Sequence, residues 1–324
     1  MHGRAGNRVW RVLRRALPWQ ARFALAWLSA RLPDRASRWL RRSLLSGGPT
    51  DSYEYVRSVF EQHYLSYRRF ASHTLLIPRT VIEIGPGDSL ALALCWCYAG
   101  AERYLAFDVE DWARRTSWAR CVSTVDRFAR ERVVETLSSE FGGGLALRPS
   151  VLEACDPSDT FHEPWSRVGV QYVFDHGIGS HDLESGTVDF AFAHAVFQHI
   201  PLGDLPPMLT ALRTGLGRHG VLSIRVNLKD HRATAWNANW MSFLTFEDAA
   251  WERIASAMAY TNRLRHSEWL RLLRDHGFEV VDDDVDVWEG RLPLEASALA
   301  PRFRQLDERD LRITGCHLVL RPAP

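Results

Sequence analysis

Residues 81–89, Val-Ile-Glu-Ile-Gly-Pro-Gly-Asp-Ser, run from an apolar strand into a glycine-rich turn that opens a helix, and no other stretch constrains the fold as strongly. Gly85 and Gly87 allow a tight turn and let backbone come within contact distance of a bound molecule, where a side chain would collide. A turn of this kind at the carboxyl end of a strand is a ligand-binding junction. A pyrophosphate-binding version would carry a third glycine where this chain has Leu90, and Glu83 and Asp88 flank the turn with negative charge. Two carboxylates suit a cationic cofactor bearing an amine and hydroxyls better than they suit a pyrophosphate.

From about residue 75 short apolar runs alternate with longer helical segments, the pattern of βαβ units. The pattern predicts strands at 80–84, 104–107, 168–174, 188–193 and 221–226, with helices beginning near Asp88, Thr124 and Leu205. An irregular aromatic stretch, 231–260, follows. A helix at 267–276 then ends at Gly277, and two final strands lie at 279–288 and 313–320. The expected fold is α/β: a Rossmann-like, doubly wound, mostly parallel seven-stranded sheet with an amino-terminal helical extension and a small helical cap. The expected division is a basic amphipathic extension at 1–75, a cofactor-binding core at 76–230, an aromatic cap or lid at 231–265, and a last helix with two strands at 266–324 completing the sheet.

The chain has 324 residues, 46% hydrophobic and 24% charged, which excludes wholesale disorder, a collagen-like repeat or a small disulfide scaffold. Its net charge of +1 conceals an asymmetry. Residues 1–50 hold eleven arginines against the one carboxylate Asp34. Those arginines are interleaved with Trp10, Leu13, Leu17, Phe23, Trp27 and Leu40, which describes amphipathic helices rather than a secretory signal. Such an arm could lie on an anionic membrane surface as a peripheral contact, or pack on the main domain or a partner subunit. Five sparse cysteines without a Cys-x-x-Cys pair suggest neither a disulfide framework nor a zinc ribbon, and a cytoplasmic location is expected.

The second landmark after the glycine turn is Tyr104-Leu105-Ala106-Phe107-Asp108, a strand that ends on an acidic residue about twenty positions on, as ribose recognition requires. With Glu83-Ile84-Gly85-Pro86-Gly87, with the run 188–201 in the place of a fourth strand and its turn, and with Gly220 before a fifth, the sequence resembles the class I S-adenosylmethionine-dependent methyltransferases. The segments 227–231 and 262–265 and Gly277-Phe278-Glu279-Val280 resemble a bacterial small-molecule subgroup of that family. Resemblance covers roughly 81–281, and residues 1–75 match no family pattern.

The resemblance implies S-adenosylmethionine as cofactor. Gly85, Pro86 and Gly87 would seat its methionine part, Glu83 would organise the loop or its amine, Asp108 would hold the ribose, and Asp175 would contact the adenine. His194, at the end of the fourth strand, is expected both beside the cofactor and on the acceptor side, as a base, a hydrogen-bond donor or a packing variant. His231, which follows Asp230, and His199 are further candidates for the base, with His231 preferred. Trp236 and Trp240 could form a lid over the acceptor or the core of a cap. Asn262, Arg263 and Arg265 could contact an anionic or polyhydroxylated acceptor, be solvated, or bridge to Asp230. The expected reaction is methyl transfer to a small molecule, foremost to a hydroxyl of a natural product or sugar-type metabolite. The alternatives are a nicotinamide-dependent oxidoreductase or a non-catalytic binding protein on the same fold. Nucleic acid is not expected as substrate, because the arm lacks a recognised module and the core lacks an Asn-Pro-Pro-Tyr-type motif. No carboxylate cluster for a metal is recognisable.

Overall fold

The computed structural model describes residues 50–71, 75–142, 146–154, 162–174, 177–181, 183–231, 239–255 and 260–324. The arginine-rich arm up to residue 49, Asp175 and Trp236 lie outside them.

In chain order the first elements are α1 (Tyr53–Phe70), β1 (Thr80–Ile84), α2 (Ala91–Ala99), β2 (Arg103–Phe107), α3 (Trp118–Arg130) and α4 (Val133–Ser139). Then follow α5 (His162–Arg167), β3 (Val170–Val173), β4 (Phe190–His194), α6 (Leu205–Leu216), β5 (Val221–Asn227) and α7 (Asp248–Ala255). The chain closes with α8 (His266–Asp275), β6 (Phe278–Val287), α9 (Pro301–Arg304), α10 (Glu308–Arg312) and β7 (Ile313–Pro322). All seven anticipated strands are present.

The helix expected near Thr124 begins earlier, because the Ser117 hydroxyl accepts the Arg120 amide and caps it from that point. The helix expected near Asp88 begins at Ala91, after Ser89 Oγ has turned back to take the Ala91 amide.

The sheet order is β3-β2-β1-β4-β5-β7-β6. The pairings among β1 to β5 are parallel, and β7 runs antiparallel to both β5 and β6, so the sheet is mixed rather than simply parallel. The chain winds outward from β1 through β2 to β3 and then returns to β4 on the other side of β1. That reversal opens a crevice at the carboxyl ends of β1 and β4, the position at which open α/β sheets take ligands.

Each face of the sheet carries its own core. On one, α2 is buried all round because it is enclosed by the sheet, α1 and α3. Val56, Val59, Phe60, Tyr64 and Tyr67 of α1 join the same cluster, so this part of the anticipated extension packs as core. On the other face α6 and α8 cover Ile82, Ala191, Ile224 and Leu318. A third cluster, Trp240, Phe243, Leu244 and Trp251 with Leu299, Phe303 and Leu311, forms the cap. The connection between β6 and β7 thus contributes to the cap as well as closing the sheet.

Candidate functional site at the β1–β4 switch point

Strand register places one transverse row along the carboxyl rim. Ile84 pairs with both Phe107 and Ala193, which sets Gly85, Asp108 and His194 level one residue later. His194 pairs with Arg225, Arg225 with His317, and His317 with Asp284.

Gly85 has φ +72° and Gly87 φ +70°, the left-handed region that favours glycine. A Cβ on Gly85 would sit 2.5 Å from a Val196 methyl, and one on Gly87 would meet Thr50 at 3.3 Å. The chain's own groups also press on both glycines, Val196 from the turn after β4 and Thr50 from the segment leading into α1. Thr50 Oγ1 also accepts the Asp88 amide at 3.0 Å, tying the approach to α1 onto the glycine loop.

Glu83 is buried and accepts the Tyr104 hydroxyl at 2.7 Å. Burial, reinforced by the charge of Asp108 and opposed by the Tyr104 bond, pushes its carboxyl up to about 8. Asp108 accepts the amides of Val109 at 2.8 Å and Glu110 at 3.4 Å, and the Gly87 amide also donates to it. Burial still raises it to about 7. Two carboxyls flanking one turn are therefore both under-solvated, and each gains from a ligand that brings positive charge or hydroxyl donors.

His194 is half-buried at the end of β4. Its Nδ1 lies 3.2 Å from His63 Nε2, and the Tyr55 ring meets it edge-on at 5.8 Å. Burial first, then the Arg225 and His317 charges, push it down to about 4, so it is neutral at pH 7. Ala195, next in sequence, has φ +58°, a conformation that costs a non-glycine residue free energy and turns the chain sharply out of the strand. Gln198 holds that turn: its Nε2 donates to the Ala195 carbonyl at 2.7 Å, and its own carbonyl accepts the Asn262 amide.

His199 closes the turn, its Nδ1 2.8 Å from the Tyr260 carbonyl and its ring 4.8 Å from that of His231. Asp230 is buried and accepts the Ser242 hydroxyl at 2.5 Å, so this carboxylate braces the cap.

The residues expected to touch an acceptor are placed otherwise. Asn262 donates to the Phe197 and Ile200 carbonyls, Arg263 donates to those of Phe243 and Phe246 and pairs with Asp248, and Arg265 donates to the carbonyls of Leu228, Asp310, Leu311 and Ile313. All three are buried, and buried donors must find acceptors within the fold. Burial pushes both guanidinium groups down to about 10. The Arg263 guanidinium also lies over the Trp251 ring at 4.9 Å and the Phe303 ring at 5.2 Å. Trp240 belongs to the cap core, 6.3 Å from Trp288 between ring centres. Arg263 is tied within the cap and Trp240 lies in its core, the second of its two expected placements, while Asn262 ties to the turn after β4 and Arg265 to the segments flanking β5 and β7.

Sequence reasoning missed Tyr55, His63, Ser223 and His317. His63 and Tyr55 sit on α1, in a region with no recognisable motif. Burial, then the Glu83 charge, raise the Tyr55 hydroxyl to about 12. The signal available was polar residues at strand positions that face a core, Ser223 and His317.

Among the described residues no helix is long and apolar enough to cross a membrane. No protein-family model and no curated protein matches the sequence. Solved structures of similar shape include an S-adenosylmethionine-dependent methyltransferase from Mesorhizobium loti, at 13% identity over 76% of this chain and 91% of that one, TM-score 0.37. They also include the (4+2)-cyclase SpnF, at 14% over 81% of both chains, TM-score 0.40. The trans-methyltransferase CalH with SAH bound is similar at 17% identity over 88% of this chain and 62% of that one, TM-score 0.42. At these scores the likeness assigns neither reaction nor ligand to this chain.

Proposed function

We propose that the chain is an S-adenosylmethionine-dependent methyltransferase that acts on a small molecule, transferring the methyl group to a hydroxyl oxygen of a natural product or sugar-type metabolite. The observation that carries this reading is the pair of desolvated carboxyls, Glu83 and Asp108, around a glycine turn at the switch point. A cationic amine and a ribose diol are the complement such a pair needs, because each restores the ionised form that burial disfavours. A dinucleotide would bring phosphate charge to the same rim, and the position of its third glycine is held by Leu90, which is fully buried. The chain's own loop thus fits the sulfonium cofactor in charge and disfavours the nicotinamide reading.

The bound cofactor supplies an electrophilic methyl group. The protein's work is to align the acceptor oxygen with it, exclude water and receive the proton. Glu83, Gly85, Pro86 and Gly87 seat the methionine portion, and Asp108 takes the ribose hydroxyls. His199 is the base: a carbonyl can only accept, so its Nδ1 carries the proton donated to Tyr260, and Nε2 keeps its lone pair. Desolvation lowers the ring's pKa from the ordinary histidine value, opposed by the hydrogen bond to the Tyr260 carbonyl. His231 packs against that ring and fixes its orientation. With the cofactor bound as the source of an electrophilic methyl group, His199 Nε2 would receive the proton that the acceptor hydroxyl gives up. The enzyme works in the cytoplasm, and the arginine-rich residues 1–50 supply a contact to a partner subunit or an anionic surface.

The test is calorimetric titration of the full chain with S-adenosylmethionine, S-adenosylhomocysteine and NADH. Micromolar affinity for the first two and none for the third is expected. Binding of NADH alone overturns the reading.

A further inference from the structure

Five polar contacts run in series between α1 and the sheet. Ser66 Oγ lies 3.0 Å from the Gln62 carbonyl and 3.3 Å from His317 Nε2. His317 Nε2 lies 2.8 Å from Ser223 Oγ, Ser223 Oγ lies 2.8 Å from His63 Nδ1, and His63 Nε2 lies 3.2 Å from His194 Nδ1. The His63 ring sits 4.7 Å from Phe192, and it meets His194 and His317 edge-on at 5.4 and 5.7 Å, so packing holds all three rings.

Satisfying all five contacts at once fixes the direction of this chain. Ser66 has one hydroxyl proton, and the Gln62 carbonyl can only accept it. The Ser66 oxygen therefore accepts from His317, which must carry its proton on Nε2 and donate to Ser223 as well. The Ser223 proton is left for His63 Nδ1. His63 then carries its own proton on Nε2 and donates to His194 Nδ1. A neutral His194 is thereby protonated on Nε2, the nitrogen that has no partner among the described residues. The reverse assignment with neutral rings cannot satisfy all five: once the Ser223 hydroxyl donates to a bare His317 Nε2, either the Ser66–His317 contact or the Gln62 bond has no proton.

We propose that His63, Ser223 and His317 form a relay that holds His194 as its Nε2–H tautomer, so that His194 presents a hydrogen-bond donor to the acceptor molecule rather than a base. The assignment rests on the reading that the rim beside His194 receives the acceptor. The acceptor group that His194 grips is accordingly an oxygen with a lone pair directed at the ring: a carbonyl, a carboxylate or an oxygen already ionised. Deprotonation falls to His199, whose hydrogen bond leaves Nε2 bare. Two histidines of one turn thus carry opposite tautomers for opposite duties. His63, Ser223 and His317 are positioning residues.

The experiment is a long-range proton–nitrogen correlation spectrum of the full chain labelled with nitrogen-15 histidine, at pH 7. His194 is expected as a single tautomer protonated on Nε2, and His199 as one protonated on Nδ1. His63→Phe keeps the packed ring and removes the bond, and Ser223→Ala removes only the hydroxyl that sets the direction; each should spread His194 over both tautomers. If His63→Phe does not fold, Ser223→Ala decides. Protonation of His194 on Nδ1 in the parent protein, or an unchanged His194 spectrum in a folded Ser223→Ala, overturns the relay. Titrating the same samples with S-adenosylmethionine separates the two ideas, since silence there with the expected tautomers refutes the methyltransferase reading and leaves the relay standing.

Discussion

Replacing Glu83 with glutamine should stabilise the protein above neutral pH and leave it unchanged in acid. Glu83 is 5% exposed, and burial lifts its carboxyl from an ordinary 4.5 to about 8. Between those values the unfolded chain holds an ionised glutamate in water while the folded chain keeps its proton, so folding takes up a proton and stability falls as pH rises. The penalty is absent below 4.5, grows through the window, and is complete above about 8. There a gap of about 3.5 pH units, at about 1.4 kcal/mol for each, amounts to about 5 kcal/mol; at pH 7 it is about 3 kcal/mol. Glutamine mimics the protonated acid and still accepts the Tyr104 hydroxyl, so the variant lacks this slope. Urea unfolding of both proteins at pH 5, 7 and 8.5 reads the effect. The midpoints should lie nearest each other at pH 5 and separate progressively in the variant's favour, with unchanged dependence on urea. A difference independent of pH would refute the claim that burial, rather than a lost contact, governs this carboxyl. The same variant should bind S-adenosylmethionine more weakly, because glutamine offers its amine no charge.

Asp108→Ala should weaken S-adenosylmethionine binding at least tenfold, about 1.4 kcal/mol, and unchanged affinity in calorimetry would remove Asp108 from the ribose role. His317 is pushed down to about 4 from 6.5, mainly by burial, so the unfolded chain takes up its proton first and stability is lost as pH falls through that window. His317→Asn should flatten this acid limb, and a parallel pH profile would refute the assignment. Arg265→Leu strips four main-chain carbonyls of a buried donor and should cost about 3 kcal/mol or more in urea unfolding while leaving cofactor affinity intact. An unchanged midpoint with lost acceptor turnover would return Arg265 to an acceptor role. Gly85→Ala should destabilise by about 1–3 kcal/mol through its left-handed φ and its collision with Val196, and Val196→Ala beside it should recover the part due to collision alone.

The strand order in sequence and most element boundaries were legible because they follow from local patterns: period-2 apolar runs, punctuating glycines, and an acidic residue closing β2. Thr80–Ile84 and Leu205 were read at their true starts for that reason. Sequence placed Glu83, Gly85, Gly87 and Asp108 at strand ends, and strand register carries those ends to a common rim. Sequence also marked Asn262, Arg263 and Arg265 as unusual, yet a chain of letters does not record burial. Only the packing of the cap decided that their donors face inward to carbonyls. The close contacts on the two glycines were likewise tertiary, because Val196 and Thr50 are distant in sequence from the loop they press against.

What sequence alone determined is the α/β fold and the acidic glycine turn, both set by neighbours along the chain. The tertiary structure decided which histidines meet. His63 stands 131 residues from His194 and 160 from Ser223, and their contact exists only because α1 lies across β4 and β5. Proton positions in such a chain depend on every hydrogen bond in it at once, and that dependence begins when the fold brings the groups within about 3 Å.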